Sequence, residues 1–282
     1  MTIVAGFRCI DGLVLCADSQ ESRGKFTKRE IPKIAWSPSE PIIGPPTGNH
    51  RLLIAGAGFG PLIDKCVAVM SKAAIDGNGL HSTTLEKIEE SISELISNLW
   101  EIYPSDACPQ VELIFALWTR DGRLDLYKAT GPIVNRIGDA YETAGCADDL
   151  STYICDRALN NPIGIREGIP LALYMLEHVK DRVKGCGGES HVFSISNNGS
   201  VDDTLLDSNL IVEMLNALDR EALDLLLLAS NLEVPDRKID REIERFVANL
   251  KYQRKEQATK IKAIQNMIKT AKAVKAHPDD LL

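Results

Sequence analysis

The stretch Met1-Thr2-Ile3-Val4-Ala5-Gly6-Phe7-Arg8-Cys9-Ile10-Asp11-Gly12-Leu13-Val14-Leu15-Cys16-Ala17-Asp18 decides how the rest of the chain is read. Ile3 to Phe7 is short, mostly apolar and β-prone, and Cys9 to Leu15 reads as strand, Asp-Gly turn, strand. The arms are of similar length, so the turn returns Asp18 toward Thr2. If Met1 is removed, as a small second residue permits, Thr2 carries a hydroxyl and a free α-amine. An α-amine has an ordinary pKa near ~8, so a modest shift leaves it a neutral proton acceptor at physiological pH. Thr2 is then a nucleophile with its own base attached. The plainer alternative is an N-terminal strand whose threonine is incidental.

Two later features bear on that choice. After a polar loop over residues 19 to 30 comes Ile31-Pro32-Lys33-Ile34, read as a short strand carrying Lys33. An inward-pointing ammonium between apolar residues is partly desolvated and needs a carboxylate, for which Asp18 is the candidate; otherwise Lys33 is a surface lysine at a strand end. The apolar run Arg51 to Ala55 reads as a buried strand and leads into Gly56-Ala57-Gly58-Phe59-Gly60. Glycines there allow a tight strand-to-helix turn, where an exposed N–H can donate to a developing oxyanion. A phosphate loop is the rival reading, but the Lys-Ser/Thr that closes such a loop is absent.

The joint spacing of Thr2, Ala17-Asp18, Ile31-Pro32-Lys33-Ile34 and Ile54-Ala55-Gly56-Ala57-Gly58 resembles the proteasome-type β-subunits and the bacterial heat-shock protease built on the same fold, within the N-terminal nucleophile hydrolase superfamily. The resemblance covers roughly residues 2 to 200 and is strongest in the first sixty. It implies an α+β fold, a four-layer αββα sandwich of two antiparallel sheets between helical layers. It also implies roles: Thr2 as nucleophile, Lys33 lowering the proton affinity of its hydroxyl, Asp18 orienting Lys33, and the Gly56 N–H holding the oxyanion. Gly145-Cys146-Ala147 stands where the family has Gly-Ser-Gly, so Cys146 is an active-site neighbour with weaker hydrogen bonding than serine. Cys146 as the nucleophile is the sharper alternative, and no sequence-evident histidine accompanies it. Asp181 precedes Lys184-Gly185 by the spacing that the family's aspartate has to Ser-Gly, which adds Asp181 to the candidate site.

The implied function is a threonine-type peptidase cutting peptides or unfolded protein inside a homo-oligomeric ring, with an ATP-dependent unfoldase as a candidate partner. Two other readings stay open. One is a silent structural subunit, since Cys146 and Lys184 both replace serines. The other is a small-amide acylase sharing the nucleophile.

Between these motifs, a helix is expected from Pro61 to about Ala74. A second begins near Ser82 or Thr83 with capping hydroxyls and shows Leu85, Ile88, Ile92, Leu95, Ile96 and Leu99 on one face. Asp121-Gly122 and Asn197-Asn198-Gly199 mark two further hairpins, with helices expected over Leu150 to Leu159 and Glu167 to Val183 between them. The resemblance fades after residue 205, giving a 2–205 domain and a 206–282 helical extension. Residues 236 to about 275 lack Gly and Pro, and Ile239, Ile243, Phe246, Val247 and Leu250 recur at helical steps, followed by Ile261, Ile264, Ile268, Ala271 and Val274 near a heptad. That helix either docks on an acidic face of a subunit or packs, solvated, on its own domain.

Composition bounds the rest. A net charge of −8 argues against nucleic acid as a main partner. No run approaches the ~20 apolar residues of a membrane span, and no signal peptide is evident, so a cytoplasmic protein without a membrane partner is expected. Seven cysteines without a C-x-x-C pair, mostly on apolar segments, read as reduced and buried thiols. The five histidines show no ligand spacing; no metal and no cofactor are expected.

Overall fold

In the computed structural model of the protein, the described residues are 2–23, 27–38, 43–46, 48–103, 109–203 and 205–276. Cys108, part of the polar loop at 24–26, and part of the Pro- and Gly-rich loop at 39–42 and 47 lie outside them. Strands β1 (Ile3–Cys9) and β2 (Gly12–Asp18) pair antiparallel about the Asp11-Gly12 turn, with Val4 opposite Ala17. All of β2 is buried, so this hairpin forms the middle of a sheet and not its edge. The polar segment that follows is a two-stranded ribbon, β3 (Gln20–Arg23) and β4 (Thr27–Glu30), where a loop was expected.

β5 (Ile34–Ser37) and β6 (His50–Gly58) begin the second sheet. Helices α1 (Gly60–Asp76) and α2 (His81–Ile102) lie on it, and β7 (Val111–Thr119), β8 (Leu124–Thr130) and β9 (Ile133–Arg136) complete it. The chain then returns to the first sheet through β10 (Tyr141–Gly145). Helices α3 (Asp148–Ala158) and α4 (Ile165–Arg182) cover its outer face. β11 (Ser190–Ser196) and β12 (Val201–Asp203) finish it. The orders are β10-β1-β2-β11-β12 and β5-β6-β7-β8-β9, every pairing antiparallel. The architecture is therefore the four-layer αββα sandwich.

Two apolar cores hold the layers. Val4, Leu15, Ala17, Leu53, Ala55, Ile114 and Leu126 pack between the sheets. Leu52, Ile54, Met70, Ile88, Ile92 and Phe115 pack between the second sheet and its helices. Strand alternation produces both: Leu53 and Ala55 face one way, Leu52 and Ile54 the other. Gly6 sets the sheet spacing, because a Cβ there would lie 2.9 Å from Ile114 Cγ2.

The start of α2 differs from expectation. No side-chain cap comes from Ser82 or Thr83; Asp121 Oδ2 accepts the His81 N–H (3.1 Å) from the β7–β8 turn. The His81 ring is buried between Thr119 Oγ1 (3.0 Å) and the Tyr127 hydroxyl (2.7 Å). Burial holds its imidazole below the ordinary range, outweighing the upward pull of Asp125. In the unfolded chain that ring takes up a proton once the pH drops below about 6.5, and in the folded protein it resists. Its contribution to stability is therefore present above that pH and is lost as the pH falls through the folded value. Urea midpoints from pH 7 to pH 5 should fall less steeply for His81→Gln than for the wild type; equal slopes would remove His81 as a cause.

Two compact units divide the chain, Met1–Leu205 and Leu206–Leu282. The second consists of α5 (Leu205–Ser230) and α6 (Asp236–Ala276). Asn249 Nδ2 donates to Glu221 Oε1 (2.7 Å) between them. Of the expected apolar stripe on α6, Ile239, Phe246 and Leu250 are half-buried, whereas Ile243 and Val247 are exposed. The side chains from Ile264 onward lie outside the description. Among the described residues, no helix is long and apolar enough to cross a membrane.

Candidate active site

Thr2 is half-buried at the head of β1, where the end of β10 grips it. Its carbonyl accepts the Cys146 N–H at 3.0 Å. Gly145, just before, has φ +108°, and a Cβ there would stand 2.1 Å from Thr2 O. Glycine is required on both counts. Gly145→Ala should cost on the order of 1–3 kcal/mol from the left-handed backbone alone and should displace Thr2. Thermal unfolding together with Thr2 labelling checks this; an unchanged melting temperature and labelling rate would contradict it.

Behind Thr2 lies a buried ion pair. Lys33 Nζ is 2.7 Å from Asp18 Oδ1, with the two side chains only 6% and 0% exposed. The same oxygen accepts the N–H of Ile3, the residue after Thr2, at 3.1 Å. Oδ2 accepts the Gly187 N–H at 3.0 Å, and Lys33 Nζ also donates to Gln20 O at 2.5 Å. A buried carboxylate needs such saturation, because each charge withdrawn from water costs several kcal/mol unless paired and hydrogen-bonded. One aspartate thus fixes the ammonium and the backbone next to Thr2 together. Lys33 itself is not in a strand, as the sequence reading had it. It ends the irregular segment between β4 and β5, where the Ile31 N–H donates to Ser19 O (2.9 Å).

Thr2, Lys33 and Gly56 line one pocket of about 170 Å³, with Pro32, Ile63 and Val67 as apolar walls. Gly56 lies within β6, ahead of the turn at Gly58 and Phe59 that leads to α1. Its N–H contacts Lys33 O at 3.4 Å, longer than the usual 2.7–3.2 Å, so that donor is only loosely engaged. A Cβ at Gly56 would lie 2.5 Å from Ile63 Cγ2; the missing side chain is what lets α1 close over this wall.

Cys146 is exposed at the β10–α3 junction, its sulfur 3.5 Å from Thr2 O and 3.4 Å from Cys186 Sγ. This departs from the expectation of buried thiols, which Cys16, Cys66, Cys155 and Cys186 follow. Asp181 is exposed near the end of α4 and is not among the residues lining the pocket. The turn after α4 reaches the site in its place: Gly187 bonds Asp18, Gly187 O accepts the Gln20 N–H (3.0 Å), and Gly185 O accepts Gln20 Nε2 (2.9 Å). The sequence reading missed Gln20, Cys186 and Gly187. The cluster Gly185-Cys186-Gly187-Gly188 was the one available signal for them. Among the described residues, no group of three or more His, Cys, Asp or Glu side chains is placed to hold a metal ion.

Two antiparallel five-stranded sheets thus lie between helical layers, with Thr2 at the head of an inner strand. No protein-family model matches the chain, and no curated protein matches it either. Solved structures do. Anbu (ancestral beta-subunit) from Yersinia bercovieri superposes with a TM-score of 0.66 at 14% identity, over 83% of this chain and 100% of that one. An Anbu (Gly-1) mutant from Hyphomicrobium sp. strain MC1 gives 0.62 at 14%, over 79% and 97%. The helical assembly of the Anbu complex from Pseudomonas aeruginosa gives 0.63 at 13%, over 79% and 95%. At these identities the likeness establishes the fold. It also corrects the resemblance read from the sequence: these matching structures are Anbu proteins, proteasome-like in fold but a distinct family, and nothing in them supports assignment to the proteasome-type β-subunits.

Proposed function

We propose that the protein is an N-terminal threonine hydrolase that cleaves peptide bonds, with Thr2 as its nucleophile. The observation that carries this reading is the single Asp18 oxygen shared by the Lys33 ammonium and the Ile3 N–H, beside a pocket that Thr2 lines. Once Met1 is removed, the Thr2 α-amine takes the hydroxyl proton, directly or through a water, as Oγ attacks the substrate carbonyl. Lys33 stabilises the nascent alkoxide electrostatically, and Asp18 keeps Lys33 in place. The Gly56 N–H exchanges its loose contact with Lys33 O for the developing oxyanion, a donor worth roughly 3 kcal/mol of barrier. The α-amine returns the proton to the leaving amine, and water then releases the acyl group from Thr2.

The matured chain should hydrolyse fluorogenic peptides and leave small acyl-amino acids untouched. The reverse preference would make it an acylase. The weak hydrogen bonding of Cys146 favours a second reading, a catalytically silent subunit, for which neither substrate turns over.

The reading includes assembly with further copies of the chain, since an unconfined peptidase site would digest its surroundings. The Pseudomonas aeruginosa Anbu structure is a helical assembly, and head-to-tail contacts give a ring or an open helix depending on whether the rotation closes. Light scattering should report a multiple of 31.0 kDa; a mass of one chain at micromolar concentration would contradict assembly.

A further inference from the structure

Two sulfurs meet beside the grip on Thr2. Cys146 Sγ and Cys186 Sγ are 3.4 Å apart, both thiols free, on segments 40 residues apart in sequence. Cys146 is exposed and Cys186 is 6% exposed. Each is bonded into, or adjoins, a backbone donor that builds the site: the Cys146 N–H holds Thr2 O, and Gly187, next to Cys186, holds Asp18. We propose that Cys146 and Cys186 form an oxidation site for peroxides, closing to a reversible disulfide across the candidate active site.

The exposed thiol reacts first. Cys146 sulfur attacks one peroxide oxygen, an S–O bond forms, the O–O bond breaks, and the hydroxide released takes up the thiol proton as water. Cys186 sulfur then displaces the sulfenic hydroxyl: the S–S bond forms, the S–O bond breaks, and a second water carries off the Cys186 proton. Two electrons pass from two thiols to one peroxide. Burial, then the neighbouring Cys146, raise the Cys186 thiol well above the ordinary range, so Cys186 does not attack peroxide itself and the exposed Cys146 is the first to react. Among the other described cysteines, Cys9 is half-buried. Cys16, Cys66 and Cys155 are buried away from peroxide, and Cys155 Sγ contacts Met175 Sδ at 3.9 Å.

Closure shortens 3.4 Å to about 2.05 Å. It therefore pulls on the strand end that holds Thr2 and on the turn that holds Asp18. This consequence rests on Thr2 being the nucleophile; the disulfide itself does not.

Reduced protein is treated with hydrogen peroxide, the remaining thiols are alkylated, and peptides are mapped by mass. The expected result is a Cys146–Cys186 crosslink with loss of two hydrogens, reversed by dithiothreitol and absent in Cys146→Ser and in Cys186→Ser. Labelling of Thr2 by a β-lactone should slow on the order of a hundredfold in the crosslinked form, recover on reduction, and show no peroxide sensitivity in Cys186→Ser relative to its own reduced rate. Free thiols after peroxide, a crosslink to another cysteine, or Cys146 driven to sulfinic acid without a crosslink would overturn the proposal. Failure of Thr2 to label even when reduced would instead count against the threonine mechanism, and the mass map would still decide the disulfide.

Discussion

Thr2→Ala is expected to lose at least about a thousandfold in kcat on peptides, since removing the nucleophile of a hydrolase typically costs that much or more, and to fold as the wild type does. Both halves follow from the same geometry. Thr2 is held through its backbone carbonyl and through the N–H of Ile3, none of which the substitution removes. Its side chain faces a pocket and belongs to neither apolar core. Thr2→Ser keeps a hydroxyl and an amine and should retain measurable turnover. Circular dichroism and thermal unfolding separate a silent site from a damaged fold. Full activity in Thr2→Ala would mean that another group attacks, and Cys146, with its sulfur 3.5 Å from Thr2 O, would be the one to examine.

The second large effect is expected at Lys33→Met. The Asp18 side chain is fully buried and, among the described residues, would keep only the Ile3 and Gly187 N–H donors. Breaking a buried pair by removing one partner typically costs about 3–5 kcal/mol, because the surviving charge is left uncompensated. Stability should drop by about that amount, with activity falling below detection. Adding Asp18→Asn removes the stranded charge and should restore part of the stability but none of the activity. That split matters, since a purely structural pair would regain function along with stability. An unchanged denaturant midpoint in Lys33→Met would show that the ammonium is solvated and the pair weak.

Much of the fold was legible because its signals are local. Asp11-Gly12 between two apolar runs specifies β1 and β2, and the equal arms carry Asp18 back toward Thr2, where it bonds Ile3. The Asn197-Asn198-Gly199 turn likewise gives β11 and β12. What escaped depends on partners distant in sequence. The Asp121 cap on α2 is 40 residues from His81, so the hydroxyls at Ser82 and Thr83 offered a local answer that the fold does not use. Lys33 reads as a strand residue from its apolar neighbours, yet the ribbon β3–β4 delivers it from an irregular segment. Asp181 enters the candidate site only through the spacing that the family resemblance implies; the helix carries it to the surface, and backbone groups at Gly185 and Gly187, which have no side-chain signature, reach the site. Residues 206–282 read as a helical extension, but the bounds of α5 do not show in the sequence, because Leu223-Asp224-Leu225-Leu226-Leu227-Leu228 has no clear helical period, and several of its leucines are exposed.

The account depends on a free amine and a hydroxyl on one residue, primed by a buried lysine. The measurement closest to that claim is incubation of the matured protein with an epoxyketone, which requires both groups to form its ring adduct, followed by peptide mass mapping. The account predicts a chain lacking Met1 with the adduct on Thr2, and no adduct in Lys33→Met. An intact Met1 after expression in its native host, or an adduct on Cys146 with Thr2 unmodified, would contradict it.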